Sequence, residues 1–355
     1  MVPLVSYKQS GVRRLPFHDR YERLGLPFVE RDGWLLPRRF LPISQETEIL
    51  EGGEALLDLS DRGVLQINGK DAIDFLHRIS TNSFRAIRSG DALPTLLLSD
   101  KGRIIDSLLV MHQGDHLLAV AGRSAQETVK TWLEKYVISE DVSITDVTGK
   151  YLLFAILGTK KSEPVPLVDS QWLKYSVYYF GLPSVLFVSG ESPNVVSGVP
   201  VSGYTQVGDD ASEFFRFRHG IPRFGAEIDG ESNPLELNLK EAIDFEKGCY
   251  IGQEVIARLD TYGKVQRRLC RVKMTGSVGS NNENRLMLGE INTGRMTSWM
   301  PVESSPLSAT GLALLRKDYA TAGSEYALQA SPCRVLIEHV FEEEANGHRD
   351  NISGS

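Results

Sequence analysis

The densest run of chemically capable side chains is Lys247-Gly248-Cys249-Tyr250-Ile251-Gly252-Gln253-Glu254, which leads into Val255-Ile256-Ala257-Arg258-Leu259. Its two glycines permit close backbone approach or positive φ, and the run that follows has helical periodicity. The octet therefore predicts a tight loop opening a helix N-terminus. Such a terminus presents unpaired N–H groups and a partial positive charge. Together with Lys247 it would favour the thiolate of Cys249, provided the thiol lies close and is not buried among apolar groups. That chemistry is a nucleophile's or a soft metal ligand's.

Acids stand in three further places. Asp106 follows a glycine turn in Gly102-Arg103-Ile104-Ile105-Asp106-Ser107. Glu227 ends the bent stretch Gly220-Ile221-Pro222-Arg223-Phe224-Gly225-Ala226-Glu227, and Glu236 ends Asn233-Pro234-Leu235-Glu236. Residues 255–274 carry Arg258, Lys264, Arg267, Arg268, Arg271 and Lys273 against Asp260 alone. A basic run in an acidic chain would attract a polyglutamate tail, RNA phosphates or an acidic protein. No aromatic platform interleaves these cations, which places RNA behind the anionic tail.

The octet resembles the signature of the YgfZ-type folate-binding proteins, whose eukaryotic relatives serve mitochondrial iron-sulfur assembly. That family is similar in fold to the glycine-cleavage T protein, an aminomethyltransferase. The order Arg218 and Gly220, then Pro-Gly-Glu, then Pro-x-Glu, then the thiol octet also resembles the T-protein fold from about residue 55 onward. The resemblance implies tetrahydrofolate or a derivative as cofactor. A pterin edge presents N–H donors suited to a carboxylate, and a glutamate tail suits Arg or Lys. Glu227 is the expected pterin acceptor, with Glu236, Lys247, Arg258 and Arg218 as further folate-binding residues. Cys249 and Asp106 are the candidate catalytic groups, and no metal site is expected.

One departure bears on the reaction. In T proteins the strand after the glycine turn ends in two adjacent acids, one acting on folate N10. Here Ser107 replaces one of them, and a serine hydroxyl cannot do a carboxylate's proton transfer near neutral pH. Adjacent strand residues face opposite sides, so Asp106 is not expected to take over. The expected function is accordingly a folate-binding accessory protein for iron-sulfur cluster assembly or repair, with Cys249 as its key thiol. Transient contacts with assembly proteins or client enzymes, including tRNA-modifying ones, go with that reading. The alternative is a tetrahydrofolate-dependent aminomethyltransferase using Asp106, and a third is an RNA-binding or scaffold role through residues 258–273.

The chain of 355 residues, with net charge −7 and pI about 5.6, has room for several cores and nothing global that suits nucleic acid or an anionic membrane. No apolar run approaches the roughly 18 residues of a membrane span. Cys249, Cys270 and Cys333 lie far apart without a CxxC pair, which argues against a disulfide framework and for a reducing compartment. The N-terminus is basic but lacks an apolar core, so no secretory signal is expected. A cytoplasmic location follows, with an organellar matrix as the alternative.

The elements that must position these groups define an α+β, three-domain architecture. Prolines 3, 16, 27, 37 and 42 predict an extended arm over 1–45. Residues 46–148 read as a ferredoxin-like β-α-β-β-(β)-α-β unit. Its second helix is expected to start at a capping box, Ser124 to Glu127. Residues 149–262 form the central folate-binding α+β domain, with strands at 151–157, 175–180 and 185–188 and a turn at Gly190. A helix capped by Asp209 and Asp210 and ending at Gly220 follows. Residues 263–342 predict a β barrel, and 343–355 a polar, frayed tail.

Overall fold

A computed structural model describes residues 11–158, 167, 171–189, 199–276, 284–303 and 305–342. The Gly190 turn, the tail at 343–355 and the first ten residues of the arm lie outside the described residues.

The N-terminal region is not an extended arm. It forms β1 (Arg13–Arg14), α1 (His18–Arg23), β2 (Phe28–Arg31) and β3 (Trp34–Pro37), with the three strands in one sheet, before α2 (Ile43–Gly52). The prolines sit where they do no harm: Pro37 ends β3 and Pro42 precedes α2. Asp32 and Gly33, both at positive φ (51° and 79°), make the two-residue turn between β2 and β3. An Asp-Gly pair between apolar residues is the sequence signal for such a hairpin.

β4 (Ala55–Asp58) is followed by β5 (Arg62–Asn68), α3 (Ala72–Ile79), β6 (Ala92–Leu98), β7 (Ile104–His112), β8 (Leu117–Arg123), α4 (Gln126–Glu134) and β9 (Ser143–Asp146). The strands β5 to β9 form an antiparallel sheet in the order β6-β7-β8-β5-β9, as the ferredoxin-like pattern predicts. Alternate residues serve opposite faces: Leu65 and Ile67 pack under α3 and α4, while Val64, Leu118 and Val120 face a second sheet. Burial on both faces explains why these strands read as continuous apolar runs. The capping box does not form. Ser124 has φ 60° and its Oγ donates to the Asp32 carbonyl, and α4 starts after Ala125 with no side-chain cap.

The second sheet, in the order β11-β12-β10-β4-β13, combines β4 with β10 (Leu153–Ile156), β11 (Trp172–Tyr179), β12 (Leu182–Ser189) and β13 (Thr205–Gln206). Next come α5 (Asp209–His219), which ends at Gly220 in the left-handed conformation as expected, and α6 (Gln253–Thr261). Asp209 and Asp210 do not cap α5; Gly208 precedes it, and both carboxylates pair with arginines of the N-terminal region.

β14 (Arg267–Thr275), β15 (Arg285–Leu288), β16 (Ile291–Val302), β17 (Ser305–Arg316), β18 (Glu325–Leu328) and β19 (Arg334–Val340) close into the expected barrel. Cys270 and Cys333 are buried in its core. A further apolar cluster seats the barrel against the first sheet, joining Leu96, Leu98 and Ile104 to Leu269, Leu312 and Leu314. Among the described residues, no helix is long and apolar enough to cross a membrane.

Candidate functional site

Asp106 lies on β7, fully buried, and borders a partly open cavity of about 70 Å³. The floor is made by Ala121 and Gly122 of β8, and one side by Tyr179 and Phe180 at the end of β11. The lining also includes Glu213 and Arg216 of α5, with Pro222, Arg223 and Phe224 of the following loop. Gly122 donates its N–H to Asp106 Oδ2 at 2.7 Å. A Cβ at Gly122 would meet Phe224 Cβ at 2.5 Å and Asp106 Oδ1 at 3.2 Å, so the floor demands glycine. Burial pushes the Asp106 carboxyl up to about 7, against the Gly122 hydrogen bond and the nearby Arg62 guanidinium, which pull it down. Burial also lifts the Tyr179 phenol to about 12, and the neighbouring Asp106 adds to that. Ser107 borders the same cavity. Asp106 thus reaches the site despite the strand alternation that argued against it, and its neighbour Ser107 lines the same cavity.

Several of the lining residues belong to a dense ion cluster. Glu213 accepts from Arg216 Nε and Nη2 at 3.1 and 2.9 Å. Arg123 pairs with Asp61, with Asp32 at 3.4 Å and with Asp209 at 3.4 Å. Asp32 also holds Arg223, and Arg31 binds Asp209 at 2.6 Å. The tip of the N-terminal hairpin is therefore tied to two residues that line the cavity. Glu213, Arg216, Arg223 and Arg62 were not singled out in the sequence; the Asp32-Gly33 turn was the available signal, since it makes a hairpin whose tip must land somewhere.

None of the five expected folate-binding residues borders this cavity. Glu227 is fully buried and accepts from Arg216 Nη1 (2.8 Å), the Arg223 N–H (3.0 Å), Thr297 Oγ1 (2.6 Å) and Ser298 Oγ (2.6 Å). Four donors occupy the acceptor positions a carboxylate offers, which leaves none for a pterin. Glu236 is buried and gripped by Arg267 through Nε and Nη2 at 3.0 and 2.9 Å, with the Asn233 N–H as a further donor. Arg218 is largely exposed and pairs with Glu51, and Arg258 is exposed on the last turn of α6. Half of the basic run is also neutralised in place: besides Arg267, Arg268 meets Glu342 at 3.4 Å and Arg271 meets Glu338 at 3.2 Å. Charge counting along the sequence could not see acids arriving from other segments.

The octet forms the expected loop before α6. Gly252, with φ 83°, packs so that a Cβ would lie 2.6 Å from the Ser99 carbonyl. Lys247 is engaged by backbone carbonyls. Its Nζ donates to the carbonyls of His77, Ser80 and Asn82, the last two at 2.7 Å each, fixing the chain after α3. Cys249 is exposed, four residues before α6, on a separate cleft that includes His77, Arg78 and Arg85. Among the described residues, no group of three His, Cys, Asp or Glu side chains is placed to hold a metal ion.

Comparison with known proteins gives this geometry a context. Residues 17–171 match the family described as the GCVT N-terminal domain. An aminomethyltransferase from Halalkalibacterium halodurans is 24% identical over 360 residues, covering 93% of this chain and 97% of its own. The crystal structure of the glycine cleavage system aminomethyltransferase T from Bartonella henselae superposes with TM-score 0.72 at 18% identity, covering 92% of this chain and 97% of that one. The fold is that of the T protein. A chloroplastic putative transferase from Arabidopsis thaliana is 26% identical over 299 residues, covering 78% of this chain and 68% of that protein. The iron-sulfur reading rests on the octet and on the incomplete acid pair at Asp106-Ser107, and these relatives are named as transferases.

Proposed function

We propose that the chain is a tetrahydrofolate-binding, aminomethyltransferase-like protein in which Asp106 is the acid-base group for one-carbon transfer. The alternative reading of the sequence is thereby preferred to the iron-sulfur accessory role, for which Cys249 offers only an exposed thiol on a different cleft. The observation that carries it is the Asp106 carboxyl, poised near neutrality in a T-protein fold. A carboxyl whose proton affinity burial raises well above the usual carboxylate range is suited to giving and taking a proton, which is what amine chemistry asks of it.

The cavity suits a folate in kind. Tyr179, Phe180 and Phe224 supply aromatic surface, and Arg223 Nε is a buried donor without an acceptor among the described residues. Its volume accommodates a few waters, so a bicyclic ring enters with movement of the rim side chains. Bound tetrahydrofolate would supply the amine that carries the one-carbon unit. Asp106 would hold a proton at that amine, Gly122 would fix the carboxyl's orientation, and the aromatic walls would exclude water. The loss of the second acid to Ser107 leaves Asp106 without a like charge at its side, so its raised proton affinity comes from burial.

The test is a tetrahydrofolate-dependent assay for release of a one-carbon unit from glycine-cleavage intermediate, sarcosine and dimethylglycine. Turnover by the native protein should fall at least about a hundredfold in Asp106→Asn, within the range typical for loss of a general acid-base group. No turnover on any of the three amines, or equal turnover by the variant, would remove the proposal.

A further inference from the structure

The cavity contains one donor and one acceptor that the protein leaves incomplete, side by side. Arg223 Nε is buried and finds no acceptor among the described residues, although Arg223 is fixed at its other end by Asp32. It stands 4.0 Å from Glu213 Oε1, beyond hydrogen-bond reach. Each Glu213 oxygen takes one hydrogen bond from Arg216, so each retains one open acceptor position. Glu213 borders the cavity and is 5% exposed. Leaving a buried guanidinium N–H unsatisfied costs stability, and such a donor at a cavity wall is explained when a ligand accepts from it.

We infer that Glu213 and Arg223 read the edge of a pterin-type ring: Glu213 accepts from its amino and ring N–H groups, and Arg223 Nε–H donates to its carbonyl oxygen. The inference rests on the folate reading above. It also replaces Glu227, whose acceptor positions are filled, as the recognition carboxylate. The ring edge presents two adjacent donors followed by one acceptor. The wall presents the complement in the same order, a carboxylate with two open positions beside one N–H. Arg216 keeps Glu213 ionised, since the nearby guanidiniums hold that carboxyl well below the usual range. Asp32 of the N-terminal hairpin keeps Arg223 from turning out to solvent.

Replacing the ring carbonyl oxygen by sulfur keeps the amino and ring N–H donors and leaves Arg223 Nε only a weak acceptor. The full-length protein is therefore titrated by calorimetry with tetrahydrofolate and with its 4-thio analogue, as wild type and as Arg223→Lys. Lysine keeps the charge opposite Asp32 but has no Nε–H at that position. Wild type should prefer tetrahydrofolate by about tenfold or more, the ratio expected for one charge-assisted hydrogen bond. Arg223→Lys should shrink the preference to within about threefold. A merely structural loss would weaken both ligands together and keep their ratio. Equal wild-type affinity for both ligands overturns the inference, as does an unchanged ratio in the variant. Failure of wild type to bind tetrahydrofolate at all overturns the folate reading itself.

Discussion

At the scale of single residues, the chemistry separates according to what each charged group already touches. Glu227 and Lys247 are the most conspicuous charges in their sequence motifs, yet each is saturated by internal partners and braces the fold. Asp106 accepts only backbone N–H hydrogen bonds and owes its raised proton affinity to burial. This has a measurable consequence for stability. An unfolded aspartic acid ionises near 3.9, whereas in the folded protein Asp106 does so at about 7. Between those values the unfolded chain has released the proton and the native state has kept it. Asp106 therefore makes stability fall as pH rises through the window, levelling off above about 7. Asparagine keeps an acceptor for Gly122 and does not titrate. Denaturant unfolding of Asp106→Asn and wild type should thus show the variant gaining on wild type by roughly 2–3 kcal/mol between pH 5 and pH 8. A pH-independent difference would mean that the carboxyl ionises normally.

At the scale of elements, two hairpin turns aim the site, and they differ in how visible they are in the sequence. Asp32-Gly33 carries the expected signature of a two-residue turn with both residues at positive φ, although the prolines around it suggested an arm. Phe180-Gly181 has the same geometry, with φ 50° and 71°, and joins β11 to β12. A phenylalanine is strained there, and its ring lies at the cavity and packs 4.3 Å from that of Tyr179. An asparagine tolerates positive φ far better. Phe180→Asn should leave the melting temperature within a few degrees of wild type, as relieved strain of about 1 kcal/mol offsets a similar loss of apolar contact. Tetrahydrofolate affinity should nevertheless fall by about tenfold, since one aromatic wall is gone. An unchanged affinity, measured by calorimetry, would take Phe180 out of the site. The elements themselves were largely legible: the first sheet, the barrel and the α6 loop follow from periodicity and glycine placement. The cavity was not, because it is assembled from β7, β8, the β11–β12 turn, α5 and a loop that are far apart in sequence. Pairing of Glu236 with Arg267, or of Asp32 with Arg223, joins segments that no local pattern relates.

At the scale of the whole molecule, five separately built regions meet at or around one small volume. The first sheet gives Asp106 and Gly122, the second gives Leu57, and α5 with its loop gives Glu213 and Arg223. The N-terminal hairpin holds that loop from one side through Asp32, and the barrel holds it from the other through Thr297 and Ser298 on Glu227. A ligand in the cavity would touch the first three directly and tighten the other two through their contacts. Binding at a hundredfold excess over Kd stabilises the native state by about 2.7 kcal/mol. The gain should show first in amides that exchange by local opening. Hydrogen exchange at short labelling times should therefore slow, on addition of tetrahydrofolate, in residues 104–107, 121–123, 179–182 and 212–228 together. β15 and β18 should keep their rates, because Leu286, Tyr326 and Leu328 pack within the barrel core. Protection confined to residues 77–85 and 247–250 would instead put the ligand on the Cys249 cleft, and the thiol octet would then be the binding element after all.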